Sequence, residues 1–258
     1  MPLSQYFRMV DIMARMALRA DATKFFLGYI WWILEPLVYV AVLFVVFSWI
    51  LESRQPDFLM FLMTGKLVYV WFSKTIVQAS LSIINGKGLI GRIDVPKSLF
   101  PMAVVQEGLY RQVSVFVLLF AVLILNGYEI TGTWFYLIPL LFVNYIMIVA
   151  LAFIAAIIVC IVRDFNPLIS LGMIFLMFTS GIFWDVRSLD DPYKTELLLA
   201  INPLAFILDA YRQILMYQTP PDMVHLLCIG AGFGGLLCLV VLLMRRADKY
   251  LALRALTA

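Results

Sequence analysis

Apolar runs of about 20 residues, the length that carries an α-helix across a bilayer, recur along this chain between residues 34 and 244. Six read as spans: residues 34–51, 58–84, 99–125, 134–162, 168–184 and 223–244. Composition agrees, with 64% of the 258 residues hydrophobic and 14% charged, against about 45–50% and 25% in a soluble domain. A soluble fold of this size could not cover so much apolar surface. That excludes a cytosolic enzyme, a disordered chain and a nucleic-acid binder. The expected architecture is all-α and polytopic, a single membrane domain over residues 1–258. A seventh apolar stretch, 197–216, carries Asn202-Pro203, Asp209, Tyr211 and Arg212. Proline and charge there predict broken, re-entrant helices within an outer segment, 185–222. Irregular backbone is tolerated at membrane depth only where protein or water lines it.

The basic residues orient the spans. With a cytoplasmic N-terminus, the inner segments hold Arg8, Arg15, Arg19, Lys24, Lys87, Arg92, Lys97, Arg163, Arg245, Arg246, Lys249 and Arg254. The outer segments hold only Arg54, Arg187, Lys194 and Arg212. Both termini are therefore expected in the cytoplasm. The first 25 residues are charged and lack an apolar h-region, so no cleavable signal peptide is expected. Within residues 1–28, Arg8, Asp11, Arg15 and Arg19 form one stripe, and Phe7, Val10, Met13, Met16 or Ala17, and Ala20 form another. This spacing predicts an amphipathic helix lying in the membrane interface with its basic face to the headgroups, a reading compatible with a plain positive-inside anchor.

The loop at 85–98 is short, basic and rich in glycine. It nevertheless displays Leu89, Ile90, Ile93 and Val95, bracketed by Gly88 and Pro96 and accompanied by Arg92. Leu89 and Ile93 are four apart and share a face on a short helix. Exposed aliphatics in such a loop fit docking into a cytosolic partner, or dipping into the interface.

Ionisable residues inside spans are functional candidates. Lys74 and Glu107 are expected at similar depth on antiparallel neighbours, with Arg111 one turn beyond Glu107. The group reads either as a structural ion cluster or as the polar wall of a hydrated path. Lys66 has no carboxylate at its level and is expected to face water or an anionic ligand. Tyr69, Trp71 and Phe72 lie mid-span, away from the interfacial belts that usually hold Tyr and Trp. They suit either stacking on sugar rings or core packing. Catalysis finds little support: His225 stands alone, no metal-ligand spacing occurs, and Gly86-Lys87 lacks the remainder of a phosphate-binding loop. Cys160, Cys228 and Cys238 read as small hydrophobes, and Gly230 with Gly234 reads as a close helix contact.

The segment Phe26-Leu-Gly-Tyr-Ile-Trp-Trp-Ile-Leu-Glu-Pro-Leu resembles the permease subunits of ABC-2-type polysaccharide exporters. So do Gly88-Leu-Ile-Gly-Arg-Ile-Asp-Val-Pro-Lys-Ser-Leu-Phe-Pro and Asn202-Pro-Leu-Ala-Phe-Ile-Leu-Asp-Ala-Tyr-Arg. The Leu-Glu-Pro form is closer to capsule permeases, and the Ile-Asp-Val-Pro loop to O-antigen ones. The resemblance implies a bacterial inner-membrane permease, not itself an enzyme, exporting a lipid-linked O-antigen, capsular or teichoic-acid chain. It implies a homodimer with two separate ATPase subunits, which would bind ATP and Mg and dock at Gly88, Leu89, Ile90, Arg92, Ile93 and Pro96. It implies sugar contacts at Tyr69, Trp71 and Phe72, in a channel with Lys66. Further implied roles are anchor entry near Arg15, Arg19 and Lys24, and an outer gate with Asn202, Pro203, Tyr211 and Arg212. The competing readings are an ABC-2 permease for a drug or lipid, and a polytopic acyl- or glycosyltransferase. The latter would need an acid–base or metal constellation at one membrane face.

Overall fold

The computed structural model describes residues 2–23, 28–46, 57–189 and 191–257, and among these it is all-helical. Lys24, Arg54, the Phe26-Leu27 start of the first motif and the 47–51 end of the first expected span lie outside the described residues.

Among the described residues three helices are long and apolar enough to cross a membrane on their own: α6 (Leu99–Leu125), α7 (Leu137–Ile161, preceded by a 3-10 turn at Gly132–Tyr136) and α11 (Met223–Thr257). The shorter α2 (Trp31–Val45) and α8 (Phe165–Thr179) are apolar. The intervening α3 (Phe58–Ser80) has the length but carries Lys66 and Lys74. This pattern is consistent with a polytopic membrane protein.

Helix α7 is the most enclosed of the three long spans, and it packs between α3 and α11. Gly230 of α11 lies close against α7: a Cβ there would sit 3.0 Å from Val143. Gly234 has open space around it, so only one of the two glycines expected at a helix contact makes one within this chain. Helix α8 buries no residue, and Leu171, Phe175 and Phe178 are exposed along it. Val38, Tyr39 and Val42 of α2 are exposed as well. Apolar faces of this extent need lipid or another protein against them.

The N-terminal helix α1 (Leu3–Ala22) is amphipathic, but its packing face is Val10, Ala14, Leu18 and Ala22, an i,i+4 row set against α6. Phe7 and Met16, expected on that face, are exposed. Small Ala14 and Ala22 let the backbones approach, which bulkier Phe7 and Met16 would prevent. Polar ties reinforce the contact: Tyr6 donates to Ser98 at 3.3 Å, Tyr110 donates to Asp11, and Asp21 pairs with Arg111 at 2.9 Å. From Ser98 to Arg111 is about 20 Å along α6. The contacts between α1 and α6 are therefore spread over that length of α6.

The stretch at 197–216 is a bent pair, α9 (Pro192–Ile201) and α10 (Pro203–Leu215), meeting at 111°. Each begins with an Asx residue as N-cap and Pro at the first helical position, the arrangement that starts a helix most readily. Asn202 Oδ1 accepts from the N–H groups of Leu204 and Ala205, both at 3.1 Å, while its amide donates to Ser180 Oγ at 3.0 Å. One side chain thereby caps α10 and ties the bend to the end of α8. From Leu204 to Leu215 every residue of α10 is buried.

Candidate functional site

Three regions hold the residues singled out above. The first is the loop after α3. It forms two single-turn helices, α4 (Ser82–Asn85) and α5 (Lys87–Ile90), and the turn continues as Ile93 N–H donates to Leu89 C=O at 3.0 Å. Gly86 is required here because a Cβ would collide with the Phe100 ring. Within this turn Ile90 is buried, Leu89 and Pro96 are half-buried, and Gly88, Arg92 and Ile93 are exposed. The aliphatic row is thus divided: Ile90 anchors the segment and Ile93 faces outward. The end of α11 packs against α5. Lys97 joins the two, being buried with its ammonium 3.1 Å from Asp248 Oδ2 while its own N–H donates to Asp248 Oδ1 at 2.8 Å. Neither Lys97 nor Asp248 stood out in the sequence. The available signal was Asp248 as a lone carboxylate among Arg245, Arg246 and Lys249.

The second region is a polar cluster where α1, α2, α3 and α6 meet. Lys74 does not take Glu107 as partner: its ammonium is held by Glu35 of α2 at 2.9 and 3.0 Å. Glu107 binds Arg111 on its own helix, and Arg111 also reaches Asp21 and lies 5.5 Å from the Trp32 ring centre. The depth estimate along α3 and α6 was blind to carboxylates arriving from α1 and α2, which is why Glu35 and Asp21 went unremarked. Beside these ion pairs is a cavity of about 80 Å³ lined by Trp32, Glu35, Tyr39, Trp71, Lys74, Arg111 and Gln112 among others. One water needs about 10–15 Å³ of such space, so the cavity holds several. Three N–H donors on its lining residues are fully buried and have no partner among the described residues: Trp71 Nε1, Gln112 Nε2 and Arg111 Nε. Buried unpaired donors are rare and costly.

The three mid-span aromatics divide accordingly. Trp71 lines this cavity and sets its ring edge-to-face on Phe116, 6.0 Å between centres. Phe72 is 1% exposed and packed in the core, and Tyr69 donates its hydroxyl to the Met173 carbonyl of α8. In this conformation neither Phe72 nor Tyr69 presents a ring face to a polymer. Lys66, expected to face water or an anion, is buried instead. Its ammonium sits 3.0 Å from Met177 Sδ and over the rings of Tyr39 and Tyr69, at 5.1 and 5.4 Å from their centres. Ring quadrupoles take the place of a counter-ion there.

Arg15 and Arg19 lie exposed on α1. Arg15 pairs with Asp11 at 3.0 Å. The Tyr110 hydroxyl, followed by Arg15, holds the Asp11 carboxyl below its ordinary pKa.

The third region is the bent pair of helices. Arg212, 1% exposed, donates to the carbonyls of Phe61, Gly181 and Ile182 and lies 3.5 Å from the Phe61 ring centre. Arg187 grips buried Asp209 with bonds of 2.9 and 3.1 Å, and Gln213 adds another at 2.6 Å. Tyr211 stacks on Phe116 at 6.1 Å between centres. These residues fasten α10 to α3 and to the turn after α8. Pro203 starts the helix, and Asn202 caps it.

Among the described residues, no group of His, Cys, Asp and Glu is placed to hold a metal ion. His225 stacks on Phe206 at 4.2 Å between ring centres. What the molecule offers is polar clusters threaded through an apolar helical bundle and a loop after α3 with an outward-facing aliphatic; proteins named as membrane transport permeases resemble it in sequence. Relatives of that class align with most of the chain. An O-antigen export system permease protein of Myxococcus xanthus is 24% identical over 89% of this chain and 88% of that protein. One from Klebsiella pneumoniae is 24% identical over 73% of each. A polysialic acid transport protein of Escherichia coli is 26% identical over 77% of this chain and 78% of that protein. No protein-family profile matches the chain. The resemblance to polysaccharide-export permeases seen in its motifs therefore holds along most of its length.

Proposed function

We propose that this chain is the permease subunit of an ABC exporter that moves a lipid-linked O-antigen or capsular polysaccharide across the bacterial inner membrane. The observation that carries this reading is the similarity to O-antigen and polysialic acid permeases over 73–89% of the chain. Six spans, both termini cytoplasmic, and two copies facing each other across the exposed sides of α2 and α8 make up the transporter. Two ATP-binding subunits dock at the segment carrying Gly88, Leu89, Arg92, Ile93 and Pro96, and ATP with Mg belongs to those subunits. A polysaccharide is too polar for hydrocarbon, so its path is hydrated. Trp71, which lines the cavity beside the ion pairs, supports a sugar contact better than Tyr69 or Phe72, which do not. Arg15 and Arg19, with Lys24, supply cations for a phosphate-bearing anchor at the inner leaflet. The bent helices at Asn202-Pro203 close the outer end, held by Arg212 and Tyr211.

Deleting the gene and restoring it on a plasmid tests this reading. Surface polysaccharide should disappear on deletion, with lipid-linked glycan accumulating inside the cell, and both should revert on complementation. Unchanged surface polymer in the deletion strain would overturn the proposal.

A further inference from the structure

We propose that the ATP-binding subunit docks on a composite surface built from the coupling segment together with the last turns of α11. This rests on the reading that such a subunit docks at the loop after α3, and it extends that site to a second element far away in sequence. Helix α11 has 35 residues. Its apolar part, 223–244, is about 33 Å long, enough for a hydrocarbon core of about 30 Å. Arg245 and Arg246 then mark the headgroup level, and the helix continues. Leu253 and Leu256 lie about 10 and 15 Å further on, beyond the hydrocarbon, yet they are 62% and 52% exposed. Leucines held in water on a rigid helix ask for a protein partner.

The same helix end packs against the coupling segment. Leu256 Cδ2 lies 3.5 Å from where a Gly91 Cβ would be, and Lys97 and Asp248 lock the two elements together. A groove between them is lined by Arg92, Ile93, Lys249, Leu253 and Leu256. Ile93, 45% exposed, and the two leucines supply its apolar floor. Arg92 and Lys249 on its lining are exposed, as are Lys87 and Arg254 on the same two elements, against one exposed carboxylate, Asp94, among the described residues lining it. The occupant that fits is an aliphatic knob with an acidic rim on the ATP-binding subunit. Because the coupling segment and the helix end are clamped as one body, nucleotide-driven movement of that knob would be passed to α11 as well as to α3.

The test uses the tagged permease co-expressed with the ATP-binding subunit of the same export system. Leu253→Asp combined with Leu256→Asp should lower recovery of the ATP-binding subunit at least tenfold at unchanged permease level, as should Ile93→Asp. Loss with Ile93→Asp and full retention with the leucine pair would overturn the composite surface while leaving docking at the loop standing. Retention with both would overturn docking at the loop, and the composite surface with it. Should the charged variants not accumulate, Leu256→Cys is made in a chain whose exposed Cys228 and Cys238 are replaced by Ser. A short bifunctional crosslinker should then join that position to the ATP-binding subunit. Absence of the adduct, or quenching of a dye at that cysteine by brominated lipid, would overturn the proposal in favour of a membrane-facing helix end.

Discussion

At the bend between α9 and α10 Arg212 is enclosed by three backbone carbonyls and an aromatic ring, and Asp209 by Arg187 and Gln213. Where α1, α2, α3 and α6 meet, Arg111 meets Asp21 and Glu107, and Lys74 meets Glu35, yet among the described residues Arg111 Nε, Trp71 Nε1 and Gln112 Nε2, which belong to residues lining a cavity, have no partners. Both places bury arginine, carboxylate and glutamine side chains, and the pairing of the buried cation's own N–H groups differs. A buried polar network in which the cation's bonds are made is rigid, whereas an incomplete one invites water or ligand. The Arg212 cluster therefore reads as a fastening and the Arg111 cluster as a place where something binds or moves.

If that distinction holds, the largest effect belongs to Arg212. Arg212→Ala strands the carbonyls of Phe61, Gly181 and Ile182 and opens a void, so the expected loss is on the order of 3–5 kcal/mol. In practice the permease should fail to accumulate in the membrane or should unfold at much lower temperature in detergent. Arg212→Lys keeps the charge but cannot reach three carbonyls at once, and should fall between. Near-normal thermal stability of Arg212→Ala would remove the contrast at its strongest point.

A smaller effect is expected at the second cluster's ion pair, because the side chains of Lys74 and Glu35 are each 38% exposed and an exposed pair contributes about 1 kcal/mol or less. Glu35→Gln and Lys74→Met should each destabilise slightly, and the double variant should recover part of the loss, a coupling readable in a double-mutant cycle of detergent unfolding. Lys74→Met combined with Glu107→Gln should instead be additive. Coupling between Lys74 and Glu107, with none to Glu35, would show that the pairing rearranges.

These two cases also mark where sequence reasoning reaches its limit. The apolar run at 99–125 coincides with α6, because hydropathy reports directly on a helix that must match a bilayer. The run ending at 244 understates α11 by more than three turns, since beyond Arg245 the helix is amphipathic and its leucines are diluted by charge. Asn202-Pro203 announced the bend, as capping chemistry is local. The ion partners were not readable: Glu35 and Asp21 reach Lys74 and Arg111 from helices 39 and 90 positions away in the chain, and no periodicity encodes that. Lys66 was misjudged for a related reason, since Met177 and the tyrosine rings that receive it come from three helices.

The smallest stability effect and the sharpest functional one are expected at Trp71. Trp71→Phe keeps a ring for the edge-to-face contact with Phe116 and deletes the unpaired Nε1–H. Losing a buried donor that has no protein partner removes a desolvation penalty of about 1–3 kcal/mol, offset by lost ring volume. The net change in unfolding temperature should therefore be close to zero. If the donor serves a sugar hydroxyl or the water that precedes it, export of the polymer should slow several-fold while permease level and co-purifying ATP-binding subunit stay normal. Surface polysaccharide measured against membrane permease content separates these outcomes. Full export with Trp71→Phe would mean that the cavity is idle, and the distinction between a completed and an uncompleted cluster would then describe packing alone. Slowed export at unchanged stability would place the substrate path along α3, on the side of the molecule where polar groups were left unpaired.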